Sequence, residues 1–385
     1  MFDKLIALVQ VFFVMVTSWL SGLGLLPNNM TVEPTVFVAE NEYQIIWETK
    51  RPSAAWVVVG DAVFADSEAG NLYWNRKIHK VSVPMEALDE AKGYEVHWQH
   101  TMRANWEVRK GDERLKAYGF RPIDCSDGLQ IYNISDTHSS MYPGATTAGY
   151  WGDQLDLLIL NGDILNDIQK ESDLTFGLQL AWEITKGERP VLYARGNHET
   201  RGAYANDLHR YVGAPGVDRW YFTTRVGPLW IAVYDVGEDK ADDHAEYNGL
   251  ADYAQYRQHQ RAFFDGVLVN ADAEFNAPGV EYRLLVCHIP FGAGGRPFAD
   301  DLAYYLAQSN EMGLDAGLSG HTHRRAYYPA GEYAQGETKA NYPVIIGTTP
   351  GENFTGAALE LKGSAMKLWF TDPNRAVVEA FEATR

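Results

Sequence analysis

Ile131-Tyr132-Asn133-Ile134 leads into Asp136-Thr137-His138, Leu157-Leu158-Ile159-Leu160 into Gly162-Asp163, and Val191-Leu192-Tyr193-Ala194 into Gly196-Asn197-His198-Glu199. The arrangement recurs twice more. Leu284-Leu285-Val286-Cys287 precedes His288, and Leu314-Asp315-Ala316-Gly317-Leu318-Ser319, the least strand-like run, precedes Gly320-His321-Thr322-His323. Near-continuous apolar runs bounded by glycine and polar residues suit strands buried on both faces. In open α/β sheets, ligands bind just beyond the carboxyl ends of such strands. Five clusters of metal-ligating residue types, each at such an end, are therefore predicted to converge on one rim. A lone Gly-Asp or His-x-His is unspecific; the ordered set is not.

Around these strands the chain alternates with helical patterns over 172–186, 202–212 and 249–268. The last carries Tyr253, Tyr256, Phe263 and Phe264 as a stripe suited to core packing. Tyr221–Thr224 and Trp230–Tyr234 flank Gly227-Pro228 and read as a hairpin. Val344–Ile346, Ala357–Leu361, Met366–Phe370 and Ala376–Phe381 read as late strands. The fold class is α/β, with two sheets packed face to face. Upstream, residues 33–124 show period-two patterning in short runs, such as Tyr94, Val96 and Trp98 alternating with Glu95, His97 and Gln99. This pattern predicts a small all-β sandwich. None of the clusters falls in it, so it is expected to be a module rather than the reaction centre.

The chain has 385 residues, 46% of them hydrophobic and 22% charged, which suits two folded domains. Its 51 Asp and Glu outnumber 33 Lys and Arg, for a net charge of −18. Such a balance argues against nucleic acid as a partner, because phosphate backbones are held by clustered cations. Bound metal ions would draw anionic substrates instead. Cys125 and Cys287, the only cysteines, read as small apolar residues and do not reveal the compartment. No charged residue occurs between Leu5 and Val32, and Leu5–Leu20 is almost wholly apolar. Residues 1–27 resemble a signal peptide or membrane anchor, although Asp3 offsets the positive flank at Lys4. The expectation is a secreted or membrane-anchored, extracytoplasmic protein, with membrane association through residues 5–26. The alternative is a hydrophobic helix lying on the protein or on a membrane surface.

Asp-x-His, Gly-Asp, Gly-Asn-His-Glu, a lone His and Gly-His-x-His, in this order across residues 128–355, resemble the pattern of the calcineurin-like metallophosphoesterases. That resemblance implies a four-layer α/β/β/α sandwich over 125–385. The β-sandwich at 28–124 is similar to the fibronectin type III-like domain that precedes the catalytic domain in purple acid phosphatase-like proteins. The family roles would assign Asp136, His138 and His323 to one metal ion, Asn197, His288 and His321 to a second, and Asp163 as a bridge. A bridging hydroxide would be the nucleophile, His198 the non-ligating general acid, and a small phosphate ester the substrate. Ligation by His, Asp and Asn without thiolate suits Mn, Fe or Zn. Asn166, Asp167 and Glu199 are candidates to support His198. Arg195 and Arg201, which flank the loop, are read as structural salt bridges ahead of phosphate contacts.

The resemblance has two departures. Purple acid phosphatases carry an iron-ligating Tyr where this chain has Asn166, and Gly where it has His138. A colourless, non-tyrosinate site is therefore expected. The six remaining histidines (His79, His97, His100, His209, His244, His259) follow no ligand spacing and are read as surface or packing residues. Rim loops 139–153, 199–219, 236–250 and 291–300 would choose the substrate, with Tyr142, Trp151 and Tyr247 positioned either to stack or to pack. Rival readings fare worse. Amidohydrolase-type barrels place His-x-His on the first strand, whereas His321 and His323 come late. Gly292-Ala293-Gly294-Gly295 resembles a nucleotide loop, but Pro297 stands in place of its third glycine. A catalytically silent surface binding or adhesion protein on the same scaffold is the non-enzymatic alternative.

Overall fold

The computed structural model describes residues 29–104, 106–292, 297–348 and 350–385. The expected leader at 1–27 lies outside them, as do residues 293–295 of the glycine-rich loop. The N-terminal part runs β1 (Met30–Ala39), β2 (Glu42–Val59), β3 (Ala62–Ala65), a ribbon of β4 (Ser67–Glu68) and β5 (Asn71–Leu72), β6 (Arg76–Pro84), α1 (Met85–Ala91), β7 (Gly93–Ala104) and β8 (Glu107–Gly119). Then come β9 (Leu129–Ile134), α2 (Met141–Ala148), β10 (Leu157–Asn161), α3 (Phe176–Thr185) and β11 (Pro190–Ala194). β12 (Phe222–Val226), β13 (Leu229–Val233), α4 (Tyr253–Val269), β14 (Tyr282–Val286), α5 (Ala299–Asn310) and β15 (Ala316–Ser319) follow. The chain continues through β16 (Ala326–Tyr328), the β17 (Ala334–Gln335) and β18 (Thr338–Lys339) ribbon, β19 (Val344–Ile346), β20 (Gly356–Lys362), β21 (Ala365–Thr371) and β22 (Val377–Thr384).

Two sheets carry the molecule, in the orders β22-β21-β20-β9-β10-β11-β1-β2-β7-β8 and β12-β13-β14-β15-β19-β16. Successive residues of a strand face opposite sides, and here they enter different cores. Ile131, Ile159 and Leu192 of the first sheet meet Ile231, Leu284 and Leu318 of the second in the inner core. Tyr132, Leu158 and Tyr193 face outward to Leu178 and Ala181 of α3. Trp230, Leu285 and Ile346 face outward to Phe264 of α4 and to Leu302 and Leu306 of α5. This gives the four layers α/β/β/α. It also explains why the strand runs are apolar without alternation: both faces are covered. Leu314–Ser319, the least strand-like run in sequence, supplies a full buried strand, β15.

The N-terminal all-β region lies as expected over Met30–Gly119, and its first strand continues the sheet of the clusters. β1 pairs in parallel with β11, Val36 opposite Pro190 and Val38 opposite Leu192. The first half of β2 lies between β1 and β6, and its second half between β3 and β7. The change of partners coincides with a register break between Glu48 and Ser53. One strand thus changes its neighbours at an irregularity without leaving the sheet.

Helix boundaries differ from the sequence reading at the start of all three patterns, the 249–268 helix beginning at Tyr253. The 202–212 helix is only a 3-10 helix at Ala205–Arg210. Gly202 sits at φ +102° against the backbone of Ile168, and Tyr204 donates its amide to Ile168 O, which holds that stretch out of α geometry. The 172–186 pattern starts its α-helix at Phe176, after a 3-10 turn at Glu171–Asp173 in which Asp173 accepts from the amides of Gln169 and Lys170. The 249–268 pattern is α4, and its aromatic stripe packs as expected. Phe264 is fully buried and stacks on Tyr234 with centroids 3.7 Å apart. Phe264→Ala is expected to cost about 3–5 kcal/mol, seen as a lower urea midpoint, whereas Leu250→Ala, at a 93% exposed position, should leave the midpoint unchanged.

Candidate metal centre

The loops after β9, β10, β11, β14 and β15 meet at one rim, because those strands are parallel within each sheet and their carboxyl ends face the same way. The backbone there is unusual. Asp136, His138, Asp163, His321 and His323 all adopt positive φ, between 45° and 68°. Left-handed geometry at such residues costs on the order of 1–3 kcal/mol each and persists only where surroundings fix it. Hydrogen bonds between the loops fix it here. Asp136 N donates to Gly162 O at 3.0 Å, His138 N to Asp163 O at 3.0 Å, and Gly320 N to His288 O at 2.9 Å. His321 N donates to both carboxylate oxygens of Asp136 at 3.1 Å.

Close approach explains the glycine of two clusters. A Cβ on Gly162 would lie 2.5 Å from the His288 ring, at a φ of +75°. A Cβ on Gly196 would collide with the backbone amide and carboxylate of Asp163.

The structure brings the seven expected ligands to one rim, where Asp163 stands close to His138 and also to His288 and His321. His138 Nε2 and His323 Nε2 are 3.1 Å apart, and His323 Nε2 is 3.4 Å from Asp136 Oδ1. On the other side, His288 Nε2 is 3.1 Å from Asp163 Oδ2, and His321 Nδ1 is 2.9 Å from Asn197 Oδ1. Among the described residues, Asp136, His138 and His323 form one set of potential donors within 4.8 Å of one another, His138, Asp163 and His198 a second, and Asp163, His288 and His321 a third. Asp136, Asp163, Asn197 and His288 are buried, while His323 stays 47% exposed.

The donor set passes a direct test of fit to cations. His288 Nε2 is buried and makes no hydrogen bond despite its approach to Asp163, and His138 Nδ1 is likewise without a partner. The Nδ1 of His288 is occupied by Asn161 O at 2.7 Å, which aims Nε2 into the site. Burial alone would lower the pKa of His288, but Asp163 and then Asp136 raise it to about 10. For Asp163, burial acts upward, yet His288 and His198 hold its carboxyl well below the usual range. A proton thus sits where a cation would fit.

His198 lies within the donor set that includes His138 and Asp163. Its Nδ1 lies 2.6 Å from Asn166 O and its Nε2 3.9 Å from Asp163 Oδ2. Of the three candidates to support it, Asn166 does so, through its backbone. Glu199 has another task. Its buried carboxylate accepts from the amides of Asp163 and Gly196 at 2.8 Å, from Leu165 N at 3.0 Å and from Tyr193 Oη at 3.1 Å. It ties the Gly-Asp loop to the Gly-Asn-His-Glu loop.

Both arginines form the salt bridges expected of them. Arg195 binds Asp235 at 2.6 Å, beside a cavity of about 420 Å³ lined also by Trp220, Tyr253 and Tyr256, with none of the seven ligands in its wall. Arg201 grips the fully buried Glu238 through Nε and Nη2 at 3.0 and 3.2 Å. Its remaining corner, Nη1, lies 3.2 Å from His198 Nε2. Trp151 packs, donating to Ile131 O at 2.9 Å and meeting Trp369 edge-on, and Tyr247 donates to Glu238. Tyr142 is exposed.

Several contributors were not singled out in the sequence. Asp239 Oδ2 lies 3.5 Å from His321 Nε2, on the far side of the ring from Asn197. Ser135 Oγ donates to Asp136 Oδ2 at 2.6 Å and lies 2.9 Å from Thr348 Oγ1. Asn161 Nδ2 donates to Asn133 Oδ1 and, across the two sheets, to Leu318 O, each at 3.1 Å. No spacing marks these residues; only their place beneath the ligands does.

Comparison with known proteins agrees with the geometry. The family model for calcineurin-like phosphoesterase matches residues 129–325, just over half of the chain. No curated protein sequence matches significantly. Among solved structures, purple acid phosphatase PPD1 from yellow lupin (Lupinus luteus) seeds is similar at a TM-score of 0.56 and 13% identity, covering 91% of this chain and 74% of that one. PhoD is similar at 0.51 and 11%, covering 94% and 90%. At such identities the likeness is one of fold. The chain belongs to the calcineurin-like phosphoesterase family.

Proposed function

We propose that the protein hydrolyses phosphate esters at a rim that holds two metal ions. The observation that carries this reading is the run of linked donor groups, Asp163 standing with His138 on one side and with His288 and His321 on the other, and His288 Nε2 buried between the Asp163 and Asp136 carboxylates without a hydrogen bond. Asp136, His138 and His323 would hold one ion, Asn197, His288 and His321 the other, and Asp163 both. Mn, Fe or Zn suit this mixture of imidazole, carboxylate and amide oxygen. When bound, such a pair supplies Lewis-acid neutralisation of phosphoryl oxygens and a water of lowered pKa. Asn166, exposed in place of a tyrosine, supports a colourless site.

The chain's own residues supply orientation and proton transfer. An arginine only donates, so Arg201 Nη1 makes His198 Nε2 an acceptor and leaves the ring's proton on Nδ1, donated to Asn166 O. To act as general acid, His198 takes a second proton on Nε2 and passes it to the leaving oxygen. A phosphoryl oxygen entering the gap accepts from Arg201 Nη1, while Glu238 keeps the guanidinium in place. His321 is steadied from behind by Asp239, a carboxylate behind a ligating imidazole.

The deciding assay is metal analysis of purified protein, followed by parallel turnover of nitrophenyl phosphate mono- and diesters with Mn added. No hydrolysis of either at full loading would sink the proposal. Asp163→Asn is expected to lose most bound metal and nearly all activity; two ions retained in the variant would refute the bridge. His198→Ala should keep its metal while kcat falls on the order of 10²–10⁴-fold, and loss of metal would make His198 a ligand. Metal uptake should also expel protons. With the metal-free His288 pKa raised to about 10, the ring is protonated at pH 7.5. Affinity should therefore rise with pH up to that value, and calorimetry in two buffers of different ionisation enthalpy should show proton release that His288→Asn diminishes.

A further inference from the structure

The β7–β8 hairpin outruns the sheet that carries it. β2 accompanies β7 only as far as Ser53 opposite His100. Beyond that, Thr101 pairs with Lys110, Met102 with Arg109, Arg103 with Val108 and Ala104 with Glu107, with no third strand among the described residues. Two-stranded hairpins gain little stability in water, yet this one ends in apolar side chains. Met102 is 55%, Trp106 89% and Val108 43% exposed. Arg103, Arg109 and Lys110 are exposed in the same stretch, and Glu107, the one acid of 102–110, pairs with Arg109 at 3.1 Å. In a chain of net charge −18, this tip has the opposite sign.

Its direction follows from contacts along β8. Phe120, just past β8, packs on Tyr43 with centroids 5.1 Å apart, and Lys116 pairs with Glu33 at 2.9 Å. β8 therefore retraces β1 toward its start, away from the rim that β11 and its parallel partner β1 point to. At that far end, Asn29 O accepts from Lys50 N at 2.9 Å, and the Asn29 carboxamide, turned with its oxygen toward Arg114, accepts from it at 3.0 Å. From Arg114 to Trp106 the hairpin extends about 25 Å further.

We propose that the β7–β8 tip is a docking element for an anionic phospholipid surface. Trp106 would sit at the headgroup level with Met102 and Val108, while Arg103, Arg109 and Lys110 meet lipid phosphates. An indole with arginine and lysine around it suits that interface. A second copy of the chain is a poorer occupant, since three side chains fall short of the roughly 800 Å² per partner of a stable protein interface. On the phosphoesterase reading, this orientation turns the metal rim to the solvent, toward soluble esters.

The test uses the full chain with vesicles of phosphatidylglycerol carrying brominated acyl chains, which quench tryptophans that enter the bilayer. Trp19→Phe removes the tryptophan of the apolar run. In that background we expect quenching that Trp106→Phe abolishes, and that falls severalfold in phosphatidylcholine vesicles or with Arg103→Glu, Arg109→Glu and Lys110→Glu combined. Equal quenching with and without Trp106, or none in either, would overturn the proposal. So would a vesicle-free dimer, seen by light scattering, that Trp106→Phe converts to monomer. Ester hydrolysis by the same samples reports separately on the phosphoesterase reading.

Discussion

The Asp163 carboxylate is the point on which the rest of the site depends. It accepts from His198 N at 2.9 Å, approaches His288 Nε2 to 3.1 Å, and belongs to two donor groups, one with His138 and His198 and one with His288 and His321. Its own backbone is held at φ 50° by the buried Glu199, which binds its amide. Placing such a carboxylate beside Glu199 and Asp136, away from water, is unfavourable unless positive charge answers it. The imidazoles answer it in the metal-free chain, and cations would do so more fully.

That demand explains the surrounding architecture. Candidate ligands from five loops, at strained backbone angles, need rigid supports whose ends are fixed to a fraction of an ångström. Two sheets buried on both faces provide them, with Asn161 joining the sheets just below the ligands. The N-terminal strands contribute to the same rigidity, since β1 extends the sheet of β9, β10 and β11. The far end of that extension, where the β7–β8 hairpin projects, lies opposite the chemistry.

Legibility in the sequence followed the physics of each feature. Buried strands were readable because both faces must be apolar, as in Leu157–Leu160. The ligand types were readable because each follows such a strand. The 3-10 helix at Ala205–Arg210 was misread as α because its composition is helical, whereas the close contact of Gly202 with Ile168 is a tertiary fact. α1, α2 and α5 carried no pattern strong enough to be read.

By itself, the sequence determined the α/β class, the order of the clusters and the side chains able to bind metal, because these rest on local composition and on the periodicity of strands. Only the tertiary structure decided which donors stand beside Asp163, that Asn166 O rather than Glu199 meets His198, and that Arg201 spans Glu238 and His198. It also recruited Asp239 behind His321. These are contacts between residues tens of positions or more apart, fixed by loop geometry and packing, which no spacing along the chain encodes.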